Sequence, residues 1–222
     1  MAREQFIQFE RARRDCYKLF AACFYQPQKK LYLDENIFPV LGNLLTRVSP
    51  DAAVFAEKME TSVMHCDEEE LLVEYARLFV GPNELLAPPY GSVYLEQGRS
   101  VMGESTARVM DFYKADGLSM DEEFQNLPDH ITAELEFMYY LAHQEVEALE
   151  KNDEEKAAYF QNRQEVFQRT FLDGWVMSFC EKIKESTETG FYQALAGCLS
   201  LFMSKTERCA IPKELRENLA RV

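Results

Sequence analysis

His130 and Glu134 stand four residues apart, with Pro128 and Asp129 just before them, in the stretch L-P-D-H-I-T-A-E-L-E-F-M (Leu127–Met138). On a helix this spacing puts both ionisable side chains on one face, one turn apart. An imidazole and a carboxylate so placed can serve two ends. With a third ligand they could hold a metal ion; otherwise they are a hydrogen-bonded packing pair. The metal reading makes the chain a metal-dependent hydrolase that uses His130, Glu134 and nearby acids. No H-E-x-x-H pattern accompanies them, and there is no G-x-S-x-G elbow and no glycine-rich phosphate loop. Nothing pairs a Ser or Cys nucleophile with a base and an orienting third group. The sequence therefore predicts a protein that is not an enzyme and uses no metal or cofactor.

The helix that carries the pair is strongly periodic. Taking Ile131 as zero, Leu135, Met138, Ala142, Val146 and Leu149 fall within roughly 60° of it, a core-facing stripe. His130, Glu134, Phe137 and Leu141 form a second row beside the first. Two occupied rows mean two neighbours, so this helix is expected near the middle of the fold. The rest of the chain also reads as helical, since Ala, Leu, Glu, Met, Gln and Phe recur at helical spacing and β-branched runs are nearly absent. The expectation is an all-α protein, a single globular domain of about nine to eleven helices over residues 1–222. A chain of this length buries roughly 70% of its unfolded surface, enough to fold without a disulfide or metal.

In chain order, a first helix is predicted over Glu4–Tyr25, with Leu19, Phe20, Cys23 and Phe24 inward and Arg11, Arg13 and Arg14 outward, ended by Pro27. A second helix should follow Asp34 and run through Leu45. Ser49-Pro50 reads as an N-cap with proline at the first helical position, opening a helix to Met64. Asp67-x-x-Glu70 reads as a capping box for Leu71–Phe79. Val80–Gln97 holds three prolines and two glycines, which prevent a helix here, yet also Leu85, Leu86, Tyr90, Val93, Tyr94 and Leu95. A long loop with its own packing residues is either functional or a cover for the core. Helix resumes over Glu104–Ala115 and closes at Asp116-Gly117. Leu118–Leu127 is an acidic connector, the natural hinge between an N-terminal part (1–117) and a C-terminal part (128–222). After the central helix, Asn152-Asp153 breaks and recaps the chain. One long helix to Lys184 follows, anchored by Tyr159, Phe160, Val166, Phe167, Phe171, Trp175, Phe179 and Ile183. A buried helix over Gly190–Ser204 and a short one starting at Pro212 complete the reading.

The net charge of −14 is unevenly placed. Met120–Glu155 holds twelve acids against one base, whereas the first thirty residues hold seven bases against three acids. Nucleic acid needs a basic stripe and is excluded as a partner. The acidic segment is either a solvated face or an attractor for a cationic peptide or surface. The six cysteines are dispersed without C-x-x-C, the N-terminus has no apolar signal region, and the longest uncharged run, Thr189–Ser204, is shorter than the ~20 residues that span a bilayer. These features predict a cytoplasmic protein without membrane insertion. An acidic segment beside an aromatic-rich loop and a two-sided helix suits a short peptide that is both cationic and apolar.

Three motifs in order carry a resemblance. Y-A-R-L-F-V-G-P (Tyr75–Pro82), A-P-P-Y-G-S-V-Y (Ala87–Tyr94) and L-P-D-H-I-T-A-E-L-E-F-M (Leu127–Met138) resemble the TorD/DmsD family of cytoplasmic molybdoenzyme maturation chaperones. The resemblance implies a one-domain helical fold without catalysis. It also implies binding of the twin-arginine signal peptide of a molybdopterin oxidoreductase, of the dimethyl sulfoxide or trimethylamine N-oxide reductase type, which is held for cofactor insertion before export. The nearest alternative is a NarJ-type nitrate reductase assembly chaperone. The family's Pro-Asp-His element falls on Pro128, Asp129 and His130, and its following Glu on Glu134. The loop residues fall on Pro82, Pro88, Pro89, Tyr90, Ser92 and Tyr94. Arginine favours bidentate carboxylate contacts, so Asp129 with Glu122 or Glu123 is the expected arginine site, with Phe79, Tyr90 or Tyr94 as aromatic contacts. The family implies a monomer or a domain-swapped dimer hinged at 118–127.

Overall fold

The computed structural model describes residues 3–82, 85–96, 101–121 and 123–205. Its centre is α8 (Ile131–Glu150), every member of whose two apolar rows is buried. On one side α8 packs against α1 (Arg3–Phe24), on the other against α9 (Glu154–Thr170). The first pair runs antiparallel: Arg11 at one end reaches Glu150, and Tyr25 at the other reaches Glu136. α3 (Ile37–Val48) packs on α1 and on α4 (Pro50–His65), and α4 packs on α11 (Gly190–Lys205), which also meets α10 (Val176–Ser186). α2 (Lys29–Asp34), α5 (Glu68–Tyr75), α6 (Ser92–Leu95) and α7 (Glu104–Ala115) complete the set. Among the described residues there is no strand, only one isolated antiparallel bridge, Tyr90 to His130.

The core is aromatic. Phe137 of α8 lies 4.7 Å from both Tyr113 of α7 and Phe167 of α9, centroid to centroid. Phe24, Phe79, Phe179 and Tyr192 make a second group of edge and tilted contacts. Burying one such ring stabilises the fold by about 2–3 kcal/mol, so these groups set how the helices sit.

Local signals account for most helix ends. Asp67 and Glu70 form the reciprocal capping box that opens α5. Asp116-Gly117 closes α7, with Gly117 at φ 76°, a left-handed conformation that favours glycine. The Asp153 side chain accepts from Lys156 N at 3.0 Å to start α9. Six expectations change. A short helix, α2, ends at Asp34. A single helical turn, α6, forms within Val80–Gln97, because Ser92–Leu95 lies past the last proline and glycine of that stretch. Ser49 makes no capping bond, and its buried hydroxyl has no partner; Pro50 alone marks the start of α4. The helix after Asp67 does not run on as α but widens into a π turn over Ala76–Val80. The long helix to Lys184 is two helices, split by a 3-10 turn at Leu172–Gly174 where Asp173-Gly174 breaks it, so Tyr159 and Val166 face outward instead of anchoring it. Arg13 points inward, 2% exposed, rather than outward. The helix expected from Pro212 and the sixth cysteine, Cys209, lie outside the described residues.

Arg13 shows how the two charged regions of the sequence meet. Its guanidinium donates to Glu10 at 2.5 Å, to Glu145 at 3.3 Å and to Gln164 at 2.7 Å, all buried. Burial alone would depress its ionisation; Glu10, Tyr17 and Glu145 beside it outweigh that and hold it charged. Arg11 pairs with Glu150 at 2.6 Å and Arg3 with Glu154 at 3.3 Å. The basic N-terminal helix therefore pairs with three acids in the far half of the acidic segment.

Candidate functional site

The loop Ala87–Ser92 is stitched to the mouth of α8. Ile131 N donates to Pro89 O at 2.9 Å, Gly91 N to Asp129 O at 2.9 Å, and Ser92 N to Asp129 Oδ2 at 2.8 Å. Asp129 is 1% exposed and its other oxygen, Oδ1, has no hydrogen-bond partner. His130 caps the helix: its Nδ1 lies 3.2 Å from the Thr132 amide, which donates to it, and 2.7 Å from the Thr132 hydroxyl. The imidazole is edge-on to Tyr90 at 5.2 Å and to Phe124 at 6.2 Å. Burial brings its pKa down to about 4, so it is neutral at physiological pH.

Glu134 is fully buried. Its Oε2 accepts from the Trp175 indole N–H at 3.1 Å, and its Oε1 has no partner. Burial pushes its pKa well above the carboxylate range; the indole bond opposes the shift and Asp129 adds to it, so Glu134 is held as a neutral acid. The Glu134 amide donates to the His130 carbonyl at 3.0 Å, but no hydrogen bond joins the two side chains. The two residues that looked like a pair serve different neighbours, one the helix end and the other the tryptophan. Among the described residues no three His, Cys, Asp or Glu side chains converge as a metal site.

Trp175, fully buried, lies under the loop, stacked on Tyr94 at 5.6 Å. A Cβ on Gly91 would lie 3.0 Å from its Nε1, tighter than an ordinary contact, so a side chain here would need the ring or the loop to give by a few tenths of an ångström. Tyr94 thus belongs to the support beneath the loop. Phe79 is in the core against Phe24, Phe179 and Tyr192. Pro88 is half-buried, while Pro89 and Ser92 are buried. Pro128 accepts from the Tyr113 hydroxyl at 2.9 Å through its carbonyl. Pro82 is exposed, and Glu122 lies outside the described residues. Arg77 of the first motif is structural: it clamps Glu74, which also accepts from Thr187 Oγ1 and Glu188 N at 2.7 Å, fixing the turn between α10 and α11.

Beside His130 the surface opens into a cleft of about 450 Å³ between the end of α1, the 118–124 connector and the outer face of α8. Phe124, Phe137, Tyr140 and Tyr25 give it aromatic walls, and Leu118 and Met120 add apolar surface. Three acids line it, Asp121, Glu123 and Glu136. Among the described residues no cationic side chain pairs with any of them, in contrast to Glu145, Glu147, Glu150 and Glu154. Glu136 accepts from the Tyr25 hydroxyl at 2.8 Å, and burial at the cleft edge raises its pKa, against the effect of that bond. Unpaired carboxylates beside aromatic rings can take a guanidinium by its N–H fork and by its face.

Of the residues singled out in the sequence, the structure gathers Pro89, Tyr90, Ser92, Pro128, Asp129 and His130 at one place, and only Glu123 lines the cleft. Asp129 and Glu134 lie inside the fold. Tyr25, Asp121, Phe124, Glu136 and Tyr140 were not assigned from the sequence. Glu136 carried a signal, being an acid that belongs to neither apolar row of α8; Tyr25 carried none.

Comparison with known proteins decides the family. The model of the nitrate reductase delta subunit family matches residues 46–181. A Haemophilus influenzae protein described as a Tat proofreading chaperone DmsD is 30% identical over 80% of this chain and 81% of its own. The chain belongs to the TorD/DmsD family. A second relative, the chaperone protein TorD of Photobacterium profundum, is 26% identical over 90% of this chain and 94% of its own. The TorD/DmsD fold is also seen in a solved structure, a candidate redox enzyme maturation protein from Archaeoglobus fulgidus, at a TM-score of 0.56 and 23% identity over 87% of this chain and 94% of that one. These relatives are named as chaperones and not as enzymes, and no helix among the described residues of this TorD/DmsD chain is long and apolar enough to cross a membrane.

Proposed function

We propose that this chain is a cytoplasmic maturation chaperone. In this reading it binds the twin-arginine signal peptide of a molybdopterin oxidoreductase precursor, of the dimethyl sulfoxide or trimethylamine N-oxide reductase type, and holds it until the cofactor is inserted. The observation that supports this is the cleft beside His130, whose acids Asp121, Glu123 and Glu136 pair with no cationic side chain among the described residues, whereas Glu145, Glu147, Glu150 and Glu154 further along the acidic segment do. Two adjacent guanidiniums would meet these carboxylates, and the apolar stretch after them would lie on Phe124, Leu118 and Met120. The arginine contact expected at Asp129 moves in this reading to the acids that face solvent.

Calorimetric titration of a synthetic twin-arginine signal peptide, with a Lys-Lys version as control, tests the reading. Binding in the micromolar range or tighter, lost on the Lys-Lys change, is the expected result, because an ammonium lacks the planar fork. Equal binding of both peptides would sink arginine recognition. The description of the matching family model favours a second client, a nitrate reductase catalytic subunit. Titration of that enzyme's N-terminal peptide beside the first distinguishes the two clients.

A further inference from the structure

Asp129 sits between the loop and the cleft without opening onto either. Its carbonyl and carboxyl take the amides of Gly91 and Ser92 at 2.9 and 2.8 Å. Its neighbour His130 is wedged between Tyr90 of the loop and Phe124 of the cleft wall, at 5.2 and 6.2 Å. The Tyr90 hydroxyl donates to Asn126 Oδ1 at 3.1 Å, so the loop also braces the connector that carries Phe124. Beneath the loop, Trp175 meets Gly91 and bonds Glu134. A side chain 1% exposed is not available to a ligand while the loop is in place.

We propose that Asp129 is a positioning residue for the cleft, acting through the loop it fastens and the His130–Phe124 contact behind it, and not by touching the peptide's arginines. The inference rests on the peptide-binding reading given above. What the loop needs from Asp129 is an acceptor for the Ser92 amide, and an asparagine oxygen supplies one. Its amide would take the place of Oδ1, which has no hydrogen-bond partner among the described residues. Charge at residue 129 should therefore matter less than shape and acceptor.

The test compares Asp129→Asn, Asp129→Ala and Glu123→Gln in the full chain, titrated with the twin-arginine peptide at low and high salt. Asp129→Asn should bind within about threefold of the parent with the same salt dependence, whereas Asp129→Ala, which orphans the buried Ser92 amide, should bind at least about tenfold more weakly. Glu123→Gln should weaken binding and flatten its salt dependence, as loss of a direct charge contact does. Trp175 is the sole tryptophan, so its emission reports the loop. The emission should change in Asp129→Ala and stay in Asp129→Asn, with faster amide exchange at Gly91–Ser92 and at Phe124–Leu127 in the alanine variant only.

The inference is overturned if Asp129→Asn loses as much affinity as Asp129→Ala and both flatten the salt dependence, or if Asp129→Ala binds like the parent. If Asp129→Ala fails to fold, the asparagine variant alone decides by its affinity and salt slope. Absence of peptide binding by the parent would instead remove the peptide-binding reading. The emission and exchange results then judge the fastening by themselves, and unchanged exchange at Phe124–Leu127 in Asp129→Ala would refute it.

Discussion

The Tyr25 hydroxyl donates to a Glu136 carboxylate oxygen at 2.8 Å, joining the end of α1 to the outer face of α8 at the rim of the cleft. The bond fixes one of three acids at the cleft that pair with no cationic side chain among the described residues. It also orients a carboxylate toward any cation that enters.

Replacing Glu136 by Gln keeps the acceptor for Tyr25 and removes only the charge. Affinity for a twin-arginine peptide should fall by about fivefold to tenfold at low salt, with a smaller salt dependence. Calorimetry at two ionic strengths checks this. An unchanged affinity would place the arginines elsewhere.

The buried residues His130 and Glu134 should give stability two opposite pH dependences. His130 titrates at 6.5 when unfolded and at about 4 when folded, because burial disfavours the imidazolium. Between those values the unfolded chain binds a proton that the folded chain refuses, so stability falls as pH drops through the window, by up to about 3 kcal/mol. Glu134, raised by burial from 4.5, behaves in reverse: above 4.5 the unfolded chain releases a proton that the folded chain keeps, so stability falls as pH rises. Urea midpoints across the pH range should lose the acid limb in His130→Asn, which can still cap α8. They should lose the decline above 4.5 in Glu134→Gln.

Arg13 and Arg11 lie on the same helix with opposite settings. Arg13→Ala strands Glu10 and Glu145 in the interior and should cost about 3–5 kcal/mol. Arg11→Ala removes a half-exposed pair with Glu150 and should cost no more than about 1 kcal/mol. Chemical denaturation of the two variants checks the contrast; equal costs would mean that the inner network contributes no more than the outer pair.

Gly91→Ala should disturb the site without touching the cleft. The added methyl would come within 3.0 Å of the Trp175 indole nitrogen, so either the ring or the loop must shift. The expected readout is a changed Trp175 emission together with weaker peptide binding, while the helical circular dichroism stays the same.

Much of this fold is written locally. The two rows of α8, the Asp67–Glu70 box and the Asp116-Gly117 stop depend on neighbours within a few residues, and the structure places them as their spacing implies. The break at Asp173-Gly174 used the same dipeptide signal, but a continuous run of aromatic residues across it argued for one helix. Arg13 and Tyr25 were opaque for another reason. Arg13 has Glu10 three residues away, but the partners that draw it into the interior, Glu145 and Gln164, lie more than a hundred residues off, as Glu136 does from Tyr25. The cleft is illegible for the same cause, since three separate segments form it. The His130–Glu134 spacing was read as one face of one helix, but His130 has extended backbone and caps α8 from outside it, so the two side chains have different partners.

The joint between Pro89–Gly91 and Asp129–Ile131 is made largely by main-chain atoms: the Pro89 and Asp129 carbonyls and the Gly91 and Ile131 amides. Such a joint is indifferent to which side chain Tyr90 or His130 carries, but not to how many residues lie between its bonds. These two bonds place no demand of their own on side chains, but an insertion or deletion of a single residue between Pro89 and Ser92 would break the pairing outright. Chain length in this loop is thus constrained as tightly as the side chains that pack around it.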